Sequence, residues 1–363
     1  MSKILINNLC KKYSGKLAVK NLTAQIEHGE LTAVVGASQS GKSALIRTIC
    51  GLDTVDSGEI VMDGVVINKL EPKDRDIAIV LKSVAIYPQL TVYDNMAQGL
   101  KIRKASKEEI DKRVKEAAKI LGLTQYLQRQ AKNLTAGQKQ RVVLGRAIAR
   151  EPKLIILDEP LEGLEQGLRA ELVTEIAKLN KRLNINFIYV TKNGAEALVI
   201  ADKIMFLEDG ELTQYAKPIE IYDTPNNLPI ATYFGVPSIN LLPAKLVSED
   251  NVLYALTEGL KVKIDNRLSE GALKEYANSG RNVTLAFRAE DLEVSEQGEL
   301  DVTVESCESI TEELSLCTVY SNASEKALKF NAFVKAEEGQ SIKLSIKPNR
   351  ALLYDTKTEL LIK

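Results

Sequence analysis

The stretch "GASQSGKS", Gly36–Ser43, decides the fold. It fits G-x-x-x-x-G-K-S, and its flanks are in the order that pattern needs. Before it, "LTAVVG" (Leu31–Gly36) is a short apolar run closed by glycine, as a buried strand would be. After it, "SALIRTICGL" continues as a helix. In such a strand–loop–helix, the N–H groups of the loop and of the first helical turn are free to wrap a phosphate. Lys42 is then placed to neutralise β- and γ-phosphates, and the Ser43 hydroxyl to hold Mg²⁺.

Working outward, "DIAIVL" and "KLIILDEP" are further apolar runs that end in polar residues. Short apolar runs alternating with helical patterns predict a parallel α/β sheet, which binds ligands at the C-terminal mouths of its strands. "LIILDEP" (Leu154–Pro160) delivers Asp158 to such a mouth, where a carboxylate can bind Mg²⁺ through its water shell, with Glu159 beside it to polarise an attacking water. Either acid could instead cap the following turn; the phosphate loop is what favours the catalytic reading. "FIYVTKNGAEAL" (Phe187–Leu198) places Lys192 at another mouth and leaves open what that cation faces. "NLTAGQKQR" (Asn133–Arg141) carries the capping-box spacing Thr135-x-x-Gln138. It reads as an anion-binding helix start, or, taken alone, as an ordinary one. Between the strands lies a helical insertion, about 90–150, in which Ser106 and Glu109 have capping-box spacing. There Ile110, Val114, Ala117 and Leu121 form one buried face.

The chain has 363 residues, 45% apolar and 27% charged, which suits two ordinary globular domains. Lys+Arg 48 against Asp+Glu 49 leaves a net charge of −1, which argues against a nucleic-acid partner or a polybasic membrane anchor. The N-terminus has no signal-peptide pattern, and no apolar run is long enough to span a bilayer. Cys10, Cys50, Cys307 and Cys317 share no metal or redox spacing and read as reduced, mostly buried thiols of a cytosolic protein. Past "YFGVPSINLLPAKL" (Tyr233–Leu246), short alternating runs such as "VTLAFRAEDLEV" and "QSIKLSIK" predict a small all-β barrel or sandwich. The expected domains are therefore 1–236 and 237–363.

Taken together, "GASQSGKS", "PKDRDIAIVLKSVAIYPQLTVYDNMAQGLK", "LTAGQKQRV", "LDEPLEGL" and "ADKIMFLEDGEL" resemble, in order and spacing, the ATP-binding subunit of an ABC importer. The resemblance is to the carbohydrate-importer type and covers essentially the whole chain, since "FGVPSINLLPAKL", "AFRAEDL" and "ALLYDTKTELL" resemble its C-terminal regulatory domain. It implies a P-loop ABC-type ATPase domain with a helical subdomain, then an OB-like β-domain. It further implies ATP and Mg²⁺ as ligands, permease subunits as partners, and a second ATP-binding subunit, identical or different, docked head to tail. A solute-binding protein would act indirectly, and the chain would sit peripherally on the cytoplasmic face of the plasma membrane. By the same resemblance, Tyr13 stacks on adenine and Gly36, Ala37, Ser38, Gln39, Ser40, Gly41, Lys42, Ser43 and Ala44 cradle phosphate. Ser43 and Asp158 serve the metal and Glu159 is catalytic. Thr135, Ala136, Gly137 and Gln138 act in trans as the signature. The segment Ser83–Tyr93 forms the cleft for the permease's coupling helix.

The departures from that pattern cluster. Lys82 stands where the family has a metal- and water-contacting glutamine, and Lys192 where it has a γ-phosphate-sensing histidine. Thr135 and Ala136 replace the signature's serine and first glycine. Glu162 and Glu165 replace the serine and aspartate of the loop after the catalytic acid. Gln39 replaces a glycine at a position where a left-handed backbone would strain glutamine. A protonated amine offers no lone pair to Mg²⁺. Lys192 either faces the γ-phosphate or swings out to solvent. Two functions stay open at this level: a subunit that couples ATP hydrolysis to solute import, or a hydrolysis-impaired subunit acting as a clamp or as the degenerate half of a heterodimer.

Overall fold

The computed structural model describes residues 3–82, 86–250, 252–257, 260–264, 270–321 and 329–362. The chain divides into two compact units, Met1–Ile219 and Glu220–Lys363. The first runs β1 (Ile4–Tyr13), β2 (Lys16–Ile26), β3 (Leu31–Val35), α1 (Lys42–Cys50), β4 (Ser57–Met62), β5 (Val65–Val66), β6 (Ile77–Val80), α2 (Val92–Ile102), α3 (Lys107–Ile120), α4 (Ala136–Ile148), β7 (Leu154–Asp158), α5 (Gln166–Leu183), β8 (Asn186–Val190), α6 (Gly194–Ile200), β9 (Lys203–Glu208) and β10 (Glu211–Ala216). Its central sheet has the order β10-β9-β3-β8-β7-β6, and a smaller sheet the order β2-β1-β4-β5. Strands β9, β3, β8, β7 and β6 run parallel.

Parallel strands covered on both faces must be apolar on both, which is why these runs read as continuous rather than alternating. Period two then sorts their residues between two cores. Val34, Ile156, Ile188 and Met205 face Leu45, Ile46 and Ile49 of α1 and the small sheet. Ile155, Leu157, Phe187 and Tyr189 face the other way, into the core shared with the helical insertion. There Ile110, Val114 and Ala117 are buried and Leu121 packs partly buried against them. Ser106 caps α3 by accepting from Glu109 N at 3.1 Å.

The second unit begins with short helices, α7 (Pro218–Asp223) at the junction and α8 (Leu228–Tyr233). It continues as β11 (Asn240–Glu249), β12 (Val252–Thr257), β13 (Leu260–Ile264), α9 (Glu270–Ser279), β14 (Asn282–Phe287), β15 (Leu292–Val294), β16 (Leu300–Ser309), β17 (Ser315–Ser321), β18 (Lys329–Val334), β19 (Ser341–Ile346) and β20 (Leu352–Asp355). Two antiparallel sheets, β13-β12-β11-β14-β20 and β15-β19-β16-β17-β18, close on one core that includes Leu246, Val262, Phe287, Val302, Val319 and Phe330. This is the all-β domain expected from the alternating runs.

Two expectations need correction. The second unit starts at Glu220, upstream of the expected 237, because its β-strands hold the preceding helices. Buried Arg288 donates to Phe234 O at 2.5 Å and Tyr222 O at 2.9 Å, and its guanidinium lies 3.5 Å from the centroid of the Tyr222 ring. Tyr354 donates to Pro225 O at 3.2 Å, and Arg350 pairs with Asp223 at 3.0 Å. The cysteines are not all reduced. The antiparallel register of β16 and β17 sets Cys307 opposite Cys317, and the two form a disulfide. Cys10 and Cys50 are free and buried, and burial pushes the Cys50 thiol up to about 12, where it is inert.

Arg288→Ala would strip two carbonyls of a charged donor. It is expected to cost the C-terminal unit about 2–4 kcal/mol in urea unfolding of the full-length chain. A cost under about 0.5 kcal/mol would show that other contacts hold the helices.

Candidate functional site

Because β3, β8, β7 and β6 are parallel neighbours, the segments leaving their C-terminal ends are forced together. The register aligns the ends: Val34 with Val190, Val190 with Asp158, and Val80 with Leu157. The phosphate-type loop, Lys192, the Asp158–Glu159 pair and Lys82 therefore meet. They line one cleft of about 360 Å³, together with Ala18 and with Ser38, Gln39 and residues 41–44 of the loop.

The loop is held by close backbone approach. A Cβ on Gly36 would lie 2.1 Å from Leu207 O, and one on Gly41 2.3 Å from Ala18 O. Gly41 also sits at φ 100 as the N-cap of α1, with no side chain taking up the first-turn N–H groups. Gln39 does adopt the left-handed conformation its position suggested, at φ 69. Lys42 is buried and folded back onto the loop, donating to Gly36 O at 2.7 Å, Ala37 O at 2.6 Å and Ser40 Oγ at 3.3 Å. Burial pushes its ammonium below the ordinary lysine value, against the pull of Glu159 and Asp158. A phosphate entering here would replace carbonyl acceptors with charged ones.

Asp158 ends β7 half-buried, and burial first, then the neighbouring Glu159 charge, raises its carboxyl above the usual range. Glu159 sits at φ 45, with its N–H donating to Val190 O at 3.0 Å, so its backbone is fixed by β8. Both of its oxygens are engaged. Lys192 Nζ lies 3.2 Å from Oε1 and Lys82 Nζ 3.1 Å from Oε2. Burial alone would raise the Glu159 carboxyl; the hydrogen bonds and charges of the two lysines outweigh it and hold the group low. Lys82 also pairs with Glu162. Neither lysine hangs free in solvent, and Lys192 faces Glu159.

The loop carrying Lys192 is pinned from below by Glu196, whose carboxylate accepts from Tyr189 OH and Thr191 Oγ1, each at 2.9 Å. Asn193 accepts from Ala195 N at 3.0 Å and Glu196 N at 3.3 Å. Glu196 and the Lys82–Glu162 pair were missed by sequence reasoning. The N-x-x-E spacing of Asn193 and Glu196 was a usable capping signal for the first. For the second nothing local was available.

Other expected residues lie apart from this cleft. Thr135 N-caps α4 with the full reciprocal box: Gln138 N donates to Thr135 Oγ1 at 3.3 Å, and Thr135 N to Gln138 Oε1 at 3.0 Å. Thr135 and Ala136 are exposed, while a Cβ on buried Gly137 would come within 3.1 Å of Leu168. Tyr13, half exposed, donates its hydroxyl to Asp53, which also accepts from Arg47 at 2.8 and 3.1 Å. Of the expected coupling segment, Ser83–Ala85 lie outside the described residues. The rest is tied to α2 by buried Asn95, which accepts from Tyr87 N at 2.8 Å and donates to Tyr87 O at 3.0 Å.

A family model described as "ABC transporter" matches residues 19–162. The "sn-glycerol-3-phosphate import ATP-binding protein UgpC" of Ruegeria sp. is 38% identical, covering 99% of this chain and 98% of its own. The chain belongs to the ABC transporter family. Its fold is that of the P-loop ABC ATPases, and its activity is ATP hydrolysis coupled to transport. The "Multiple sugar-binding transport ATP-binding protein MsmK" of Streptococcus mutans is 37% identical across the full length of both chains. The "Maltose/maltodextrin import ATP-binding protein MalK" of Vibrio vulnificus is 39% identical over 82% of this chain and 80% of its own. Among solved structures, cbiO1 from Clostridium perfringens, part of the ABC transporter complex cbiONQ, matches 60% of this chain and 89% of its own with a TM-score of 0.56 at 28% identity. The ATP-binding cassette MJ0796, solved as a dimer bound to ADP and Pi, matches 59% of this chain and 98% of its own with a TM-score of 0.51 at 28% identity.

Glu196→Ala removes a partly buried carboxylate that two hydroxyls in this ABC ATPase domain use as acceptor. It is expected to destabilise the N-terminal unit by about 2–3 kcal/mol in thermal or urea unfolding. An unchanged midpoint would mean that Thr191 and Tyr189 find other acceptors.

Proposed function

We propose that this chain is the ATP-binding subunit of a carbohydrate importer, and that its strand-mouth cleft is the ATP site. The observation that carries the site is the convergence of Lys42, Ser43, Asp158 and Glu159 at one parallel sheet edge. The solute class rests on full-length relatives named for sugars and glycerol phosphate. The clamp-only alternative draws no support from those relatives.

In this reading Tyr13 stacks on adenine, fixed by Asp53 and Arg47, and the N–H groups of residues 36–44 cradle the phosphates. Lys42 exchanges its loop carbonyls for β- and γ-phosphate oxygens. Ser43 and Asp158 fit a Mg²⁺ site. They lie in one cleft, and burial leaves the Asp158 carboxyl in want of a cation. Among the described residues no cluster of three metal-binding side chains exists. That suits an ion held mainly by phosphate oxygens and water. Bound there, Mg²⁺ would neutralise charge on the β- and γ-phosphates. Glu159 polarises the attacking water, and Thr135, Ala136, Gly137 and Gln138 complete the site of a second ATP-binding subunit, identical or related.

Among the described residues no helix is long and apolar enough to cross a membrane. The chain reaches the cytoplasmic face through permease subunits, seated on the segment that ends at Tyr93. A solute-binding protein acts through that permease. The near-zero net charge gives no footprint for nucleic acid.

Mg²⁺-ATP at one hundred times its Kd should stabilise the N-terminal unit by about 2.7 kcal/mol. Lys42→Ala should abolish most of the resulting rise in melting temperature. Proteoliposomes carrying the complex co-purified with this chain should take up labelled maltose or raffinose only with internal ATP. Uptake of spermidine in place of sugars would contradict the solute class, and no ATP-dependent shift would contradict the site.

A further inference from the structure

Lys82 and Lys192 are two of the clustered departures from the family pattern, 110 positions apart in the sequence. The geometry joins them. Lys192, Glu159, Lys82 and Glu162 form one unbroken chain of ion pairs, with two positive and two negative groups. The carboxylate at its centre has both oxygens occupied and its side chain is only 13% exposed, whereas Lys82, Lys192 and Glu162 are about half exposed at 53%, 47% and 42%. The centre is therefore fixed and the arms can move. One arm, Lys192, lines the same cleft as Lys42 and Ser43, so a triphosphate bound there would present it with a competing anion. The other arm, Lys82, already has a second carboxylate within reach in Glu162, so it can leave Glu159 without losing its counter-charge.

We propose that these four residues are a latch on the base, closed by the two lysines on Glu159 and opened by the γ-phosphate. Lys192 transfers from Glu159 to the γ-phosphate, Lys82 shifts its pairing to Glu162, and Glu159 regains the acceptor positions it needs for water. A diphosphate lacks the group that draws Lys192, so it leaves the latch closed. Glu162 is the release arm, a positioning residue that acts on the base through Lys82. The inference rests on the ATP-site reading above.

The test uses the purified full-length chain with Mg²⁺, measuring ATP and ADP affinity by displacement of a fluorescent nucleotide, and steady-state phosphate release. Lys192→Met should weaken ATP about tenfold or more and ADP less than about twofold, since only the triphosphate loses a charge-assisted contact. Glu162→Ser should lower kcat about threefold to tenfold with lysine at 82, and leave it unchanged once Lys82→Gln is present. A merely structural Glu162 would give the same effect in both backgrounds. Equal loss of ATP and ADP in Lys192→Met would overturn the latch, as would additive effects at 82 and 162. So would ATP binding with no turnover in either the unmutated chain or Lys82→Gln. Absence of ATP binding in every variant would instead remove the ATP-site reading itself.

Discussion

Three rungs of a parallel ladder govern this molecule. Val34 pairs with Val190, Val190 with Asp158, and Val80 with Leu157. A one-residue slip in any of them would turn alternate side chains to the opposite core and move a strand mouth out of the cleft. With the register set, the loop after β3 faces the acids after β7, and lysines from β6 and β8 reach the same carboxylate. The apolar runs that build the two cores are thus also what positions the chemistry, and the polar residues need only stand at the right distance past each strand end.

Much of this was legible in the sequence because its signals are local. The phosphate loop, the helical stripe from Ile110, the capping box at Thr135 and the left-handed backbone at Gln39 each depend on neighbours within a few residues. The β-rich second unit was legible from alternation alone. What escaped depends on contacts distant in sequence. The pairing of Cys307 with Cys317 follows from the register of a hairpin, not from a recognisable spacing. The start of the second unit was hidden because Arg288 grips Phe234 and Tyr222 from far along the chain. The partner of Lys192 could be framed as a question at a strand mouth, yet its answer required knowing which strand lies next to β8.

That answer changes how the departures from the family pattern are understood. Taken one at a time, a lysine for a metal-touching glutamine or for a phosphate-sensing histidine is a loss. Taken as a set with the retained Glu159, and with a glutamate also introduced at 162, they balance in charge and hold one another. Removing a single member of such a network leaves a partly buried charge without its partner, so the members are expected to act as a unit rather than additively. The same electrostatics of Lys82 and Lys192 that hold Glu159 low give an incoming triphosphate something specific to displace.

The most direct measurement is a crystal structure of the full-length chain with Mg²⁺ and a non-hydrolysable ATP analogue. Lys192 Nζ stands 3.2 Å from Glu159 Oε1. The account predicts that in the complex this amine sits within hydrogen-bond reach, about 3 Å, of a γ-phosphate oxygen, with Glu159 released and Lys82 on Glu162. Lys192 and Lys82 both remaining on Glu159, with the γ-phosphate held by other groups, would contradict it.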